Sequence, residues 1–105
     1  MQIDMTVMET KADEAAGFLS GLASQHRLKI LCQLAAGEKC VSDLIDATGM
    51  PQTSMSQHLS KLKDENIVSF RREHRALYYF ISNPVAFQIM QVLHENFCSD
   101  KRRKK

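Results

Sequence analysis

No run of apolar residues in this 105-residue chain approaches the length of a membrane-spanning helix, which excludes an integral α-helical membrane protein. The N-terminus lacks the basic-then-apolar order of a secretory signal, so a cytoplasmic protein is expected. Cysteines are few and odd in number, three in all. That argues against a disulfide framework and leaves them as small buried hydrophobes or as thiols with redox or metal chemistry. No nucleophile, base and orienting residue fall in a recognisable catalytic arrangement, and no enzyme is expected. The length supports one modest core and is too short for two.

Net charge is +2, but Lys101-Arg102-Arg103-Lys104-Lys105 is wholly basic, and without those five residues nine cations face twelve anions. Affinity for a polyanion therefore has to come from local patches. The tail either helps hold such a partner or is a solubilising terminus.

What is present centres on the stretch from Pro51 to Leu62. Met55, Leu59 and Leu62 fall on one face of a helix, while Gln52, Thr53, Ser54, Ser56, Gln57, His58 and Lys61 occupy the others. Those side chains offer donors and acceptors with little fixed charge, as base edges and phosphates require; a merely solvated face is the alternative. Just upstream, Val41, Leu44 and Ile45 line the inner face of a short helix that Gly49 closes, with Pro51 opening the next. This is the punctuation of a helix-turn-helix.

The flanking segments supply the remaining elements. Residues 10–23 read as a helix with Thr10 as N-cap, weakened by Gly17 and Gly21 by about 1 kcal/mol each, so that it needs packing on its own core or on a second copy. Ser24 caps a central core helix over residues 25–36, which contains Cys32 and ends at Gly37; Glu38 to Cys40 then lead into the helix-turn-helix. Residues 67–72 and 77–81 are β-branched and aromatic and form a hairpin. Its tip carries Arg71, Arg72, His74 and Arg75, which suits a wing along a phosphate backbone or a solvated turn. Asn83-Pro84 caps a last helix that is apolar on nearly all sides through Phe97, which points to a twofold partner on one of those sides.

Val41-Ser42-Asp43-Leu44, Ser54-x-Ser56-x-His58-Leu59-x-x-Leu62, Ile67-Val68, Arg71-Arg72 and Tyr79, with Arg27-Leu28-x-Ile30-Leu31 upstream, resemble the ArsR/SmtB family of winged helix-turn-helix repressors over about residues 18–98. The resemblance implies a mainly α fold with a small β-hairpin, ordered as four helices, two strands and a final helix. It also implies a homodimer on double-stranded operator DNA that leaves when an inducer binds. Residues 1–9 are then a flexible N-terminus, 10–98 the DNA-binding and dimerisation domain, and 99–105 a basic tail. Asn66 and His74 stand where the family usually has glycine, and both residue types tolerate positive φ.

The resemblance also bears on the inducer. Soft-metal sensors of the family carry Cys-Val-Cys-Asp, and here Cys40-Val41-Ser42-Asp43 lacks the second thiol. Zinc sensors use Asp and His pairs on the last helix, where only His94 and Glu95 occur. Cys32 and Cys98 match instead the subgroup that senses persulfides, polysulfides or oxidants by bridging two cysteines of one subunit. That likeness implies no cofactor and leaves Cys40 dispensable. A metal-responsive repressor using Cys32, Cys98 and either His94 or Cys40 is the alternative, and a winged-helix interaction domain without an inducer is the third reading.

Overall fold

The computed structural model describes residues 5–98, except the side chain of Cys98; the expectations for residues 1–4 and for the basic tail lie outside the described residues. The elements are α1 (Met5–Leu22), α2 (Gln25–Ala35), β1 (Lys39–Cys40), α3 (Val41–Thr48), α4 (Gln52–Asp64), β2 (Val68–Glu73), β3 (Ala76–Ile81) and α5 (Pro84–Leu93). A single π-helical turn, His94–Cys98, continues α5.

Most boundaries lie within a residue of the sequence reading, but the start of α1 and residues 39–40 differ from it. Helix α1 starts at Met5, because residues 5–9 contain no glycine or proline to break it. Thr10 is accordingly not its cap: the hydroxyl donates back to the Val7 carbonyl at 2.9 Å inside the helix. Residues 39–40, read as a lead-in, form a strand that pairs antiparallel with β3, Lys39 opposite Tyr79 and Cys40 opposite Tyr78. The hairpin thus becomes a three-stranded sheet in the order β1-β3-β2. A strand of two residues has no alternation to betray it.

The caps follow their residues. Ser24 accepts the Arg27 N–H at 3.4 Å at the start of α2, and Asn83 Oδ1 accepts those of Val85 and Ala86 at 2.9 and 3.0 Å at the start of α5. Gly49 ends α3 with φ 76°, its N–H on the Ile45 carbonyl at 2.8 Å. Asn66 after α4 and His74 at the wing tip sit at φ 63° and 58°. Both take the left-handed backbone expected of them.

The core joins Ile30, Leu31 and Leu34 of α2, Leu44 of α3, Met55, Leu59 and Leu62 of α4, Ile67 and Val68 at the start of the hairpin, and Ala86 and Met90 of α5, all buried. Burying each large apolar side chain contributes on the order of 2 kcal/mol, so the three on α4 hold its inner face in place. Helix α1 docks at its C-terminal end, where Leu22 is buried and Arg27 donates to the Gly21 carbonyl at 2.6 Å. The same guanidinium reaches both oxygens of Glu65, at 3.0 and 3.4 Å, and so ties α1 and α2 to the end of α4.

The two glycines of α1 should therefore respond differently to alanine. A Cβ at Gly17 meets nothing within 4 Å, whereas one at Gly21 lies 2.7 Å from Glu65 Oε1. Gly17→Ala is expected to gain up to about 1 kcal/mol from helix propensity. Gly21→Ala must displace the Glu65 carboxylate and should gain less or lose. Thermal denaturation of both variants checks this, and a higher midpoint for Gly21→Ala than for Gly17→Ala would contradict it.

Candidate nucleic-acid interface

Burying Met55, Leu59 and Leu62 turns the opposite side of α4 to solvent. Gln52, Thr53, Ser56, Gln57 and Lys61 are exposed there, and Ser54 and His58 are half-buried along its edge. The face is a row of hydroxyls and amides that begins at a helix N-terminus and has no acidic residue in its first turn. Pro51 occupies the cap position, at φ −63° and ψ 154°, and contributes no side-chain acceptor to the first N–H groups.

His58 departs from its neighbours. Its ring lies 5.4 Å from that of His26 on α2, centroid to centroid, tilted by 36°. Partial burial, then repulsion from His26, Arg27 and Lys61, holds its imidazolium below the ordinary pKa of histidine. The sequence reading placed His58 among the groove-facing residues and missed His26. A contact between residues so distant in the chain leaves no local signal.

The wing divides its cations. Arg71 Nε donates to Glu38 Oε1 at 2.9 Å, its Nη1 donates to Glu73 Oε1 at 2.7 Å, and its guanidinium lies 4.9 Å from the Tyr78 ring centroid. The hydrogen bonds to Glu73 and Glu38 raise its pKa further. Arg71, expected on phosphate with the others, is thus already engaged by two carboxylates. Arg72, His74 and Arg75 are exposed and make no ion pair among the described residues. Alternation along a strand could have found the Arg71–Glu73 pairing, since residues two apart share a face.

A second feature lies away from this face. Cys32 lines an apolar cavity of about 310 Å³ between α2 and α5, together with Leu28, Met90, Leu93, His94 and Phe97. Cys98 ends the π-helical turn one residue beyond Phe97, and its side chain is outside the described residues. Cys40 is elsewhere, on β1, with its Sγ 3.3 Å from Ser42 Oγ. Among the described residues no group of three or more His, Cys, Asp or Glu side chains could hold a metal ion.

The chain matches the family model described as "Bacterial regulatory protein, arsR family" over residues 24–69. It is 40% identical over 89 residues to nodulation protein NolR of Rhizobium meliloti, covering 85% of this chain and 73% of that protein. The chain belongs to the ArsR family. The solved structure of the transcriptional repressor BigR from Xylella fastidiosa superposes with a TM-score of 0.83 at 32% identity, covering 92% of this chain and 99% of that one. Reduced HlyU from Vibrio cholerae gives 0.83 at 30% identity, covering 88% and 97%. This ArsR-family protein is therefore a DNA-binding transcriptional regulator with a winged helix-turn-helix fold, as the sequence implied, and its family match runs from the cap of α2 through α3 and α4 into β2.

On such a frame Gln57→Ala is expected to cost about 1–3 kcal/mol of discrimination between operator and random DNA while leaving non-specific binding nearly unchanged. Arg75→Ala should weaken both alike and lower the salt slope by about 1. Arg71→Ala should change that slope less, its charge being already matched by carboxylates. Salt-dependent anisotropy titrations on the two duplexes decide among these, and equal losses on both for Gln57→Ala would count against base reading.

Proposed function

We propose that this regulator is a homodimeric repressor that holds operator DNA while Cys32 and Cys98 are reduced and releases it when a persulfide, polysulfide or oxidant bridges them. The observation that carries the reading is the cavity. Cys32 opens into a space walled by Leu93, His94 and Phe97, and position 98 follows directly in the chain. One small movement of that turn changes the separation of the two cysteine positions.

The chemistry balances without a bound cofactor. The Cys32 thiolate attacks the outer sulfur of a persulfide R–S–S–H and expels the thiol R–S–H, leaving Cys32 as a persulfide. The Cys98 thiolate then attacks the Cys32 sulfur and expels hydrogen sulfide, which forms the disulfide. Both thiols are oxidised, the sulfane sulfur is reduced to sulfide, and their protons leave on the thiol and the sulfide. A second persulfide would lengthen the bridge by one sulfur and release one more thiol.

Apolar surface supports the dimer. Met5, Val7, Met8 and Leu19 of α1, Val85 and Val92 of α5 and Phe97 of the π-helical turn are all exposed, Phe97 at 71%. A second copy laid on α1 and α5 would cover them. Helix α5 then belongs both to the thiol cavity and to the twofold contact, and the operator half-sites lie roughly 34 Å apart. A bridge that draws the π-helical turn toward α2 would shift both reading heads together and weaken binding.

DNA-binding anisotropy with a labelled duplex from upstream of the protein's own gene tests this reading. Pretreatment with a persulfide donor is expected to weaken wild-type binding at least tenfold, about 1.4 kcal/mol, and to leave Cys32→Ser and Cys98→Ser unaffected. Tight binding that ignores the donor would sink the switch. His94 on the same cavity wall favours one competitor, a metal-responsive repressor using Cys32, Cys98 and His94, and stoichiometric tight zinc binding by the reduced protein would select it.

A further inference from the structure

The His26–His58 pair is used by neither the groove-reading face nor the thiol cavity. It joins the first turn of α2 to the middle of α4, with His26 exposed and His58 half-exposed at the edge of the DNA-facing surface. The side chains that oppose a charge on His58 come from two helices, His26 and Arg27 from α2 and Lys61 from one turn further along α4. The nearby carboxylate, Glu65, is bound by Arg27 through both oxygens. Two imidazoles, a lysine and an arginine already paired with Glu65 thus lie at one edge of α4. The cluster borders the polar face of α4 that the DNA-binding reading turns to a duplex.

We propose that the His26–His58 pair is a contact for a DNA backbone phosphate, and that His58 takes up a proton from solvent as the phosphate arrives. The proposal rests on the DNA-binding reading of α4. It moves His58 from base reading to backbone positioning, which agrees with its ring lying 5.4 Å from that of His26 on α2. In the free protein, burial and the surrounding positive charge disfavour the imidazolium. A phosphate within hydrogen-bonding reach reverses the local field and favours the imidazolium, which then donates from both ring nitrogens. The sign follows from linkage: the complex holds more protons than the free partners, so affinity rises as pH falls.

Anisotropy titrations from about pH 5.5 to about pH 8 at fixed ionic strength test it, using the labelled upstream duplex and a random duplex of equal length. The wild type is expected to bind both more tightly toward low pH, with a limiting slope of about tenfold per pH unit for one proton. His58→Gln should lose the slope and His26→Gln should reduce it. Calorimetry in two buffers of different ionisation enthalpy should register uptake of about one proton by the wild type and none by His58→Gln. A purely structural role would shift affinity equally at every pH and leave proton uptake unchanged. A flat wild-type profile, or a slope kept by His58→Gln, overturns the proposal. A slope on the upstream duplex alone would assign His58 to bases and overturn the phosphate contact. No binding to either duplex at any pH would remove the DNA-binding reading and this proposal with it.

Discussion

The burial of three side chains on one helix organises the molecule. Met55, Leu59 and Leu62 leave almost no surface to water, and a helix with one face so fixed cannot rotate about its axis. Its polar residues are consequently presented at set angles, with little left to the flexibility of the element itself. Leu31 and Leu44 join the same buried core as these three residues, and Arg27 holds the end of α4 through Glu65. Reading a duplex by short side chains demands such rigidity, because a hydroxyl or amide has little reach with which to correct a misplaced backbone.

Much of this was legible in the sequence because it is written locally. Helical spacing gave the buried face of α4, Gly49 and Pro51 gave the turn before it, and Asn66 and His74 were residue types able to replace glycine at positive φ. What escaped depends on contacts between distant parts of the chain. Strand β1 exists only because β3 offers it two partners, the engagement of Arg71 requires Glu38 from the loop after α2, and the ring contact of His58 requires His26. Thr10 misled for a different reason. A threonine makes a good cap and also a good back-bonded helix residue, and only the residues ahead of it decide which.

The polar face of α4 and the Cys32 cavity differ in their surroundings. The exposed face of α4 is polar, whereas the Cys32 cavity is lined almost entirely by hydrocarbon. Helix α2 touches both, with His26 at one end and Cys32 further along the same helix. A rigid element shared in this way can carry a displacement from one region to the other.

The wing tip has a consequence for how the protein loses freedom when it associates. A glycine where His74 stands would leave the two-residue loop able to visit both signs of φ, whereas a histidine held at φ 58° has far fewer alternatives. The left-handed backbone costs about 1 kcal/mol in folding. In exchange, the strand ends on either side are already near one arrangement before any partner arrives, so less disorder remains to be frozen on binding. Arg72 and Arg75, two residues to either side at most, inherit that order and approach a partner on a hinge that has largely stopped moving.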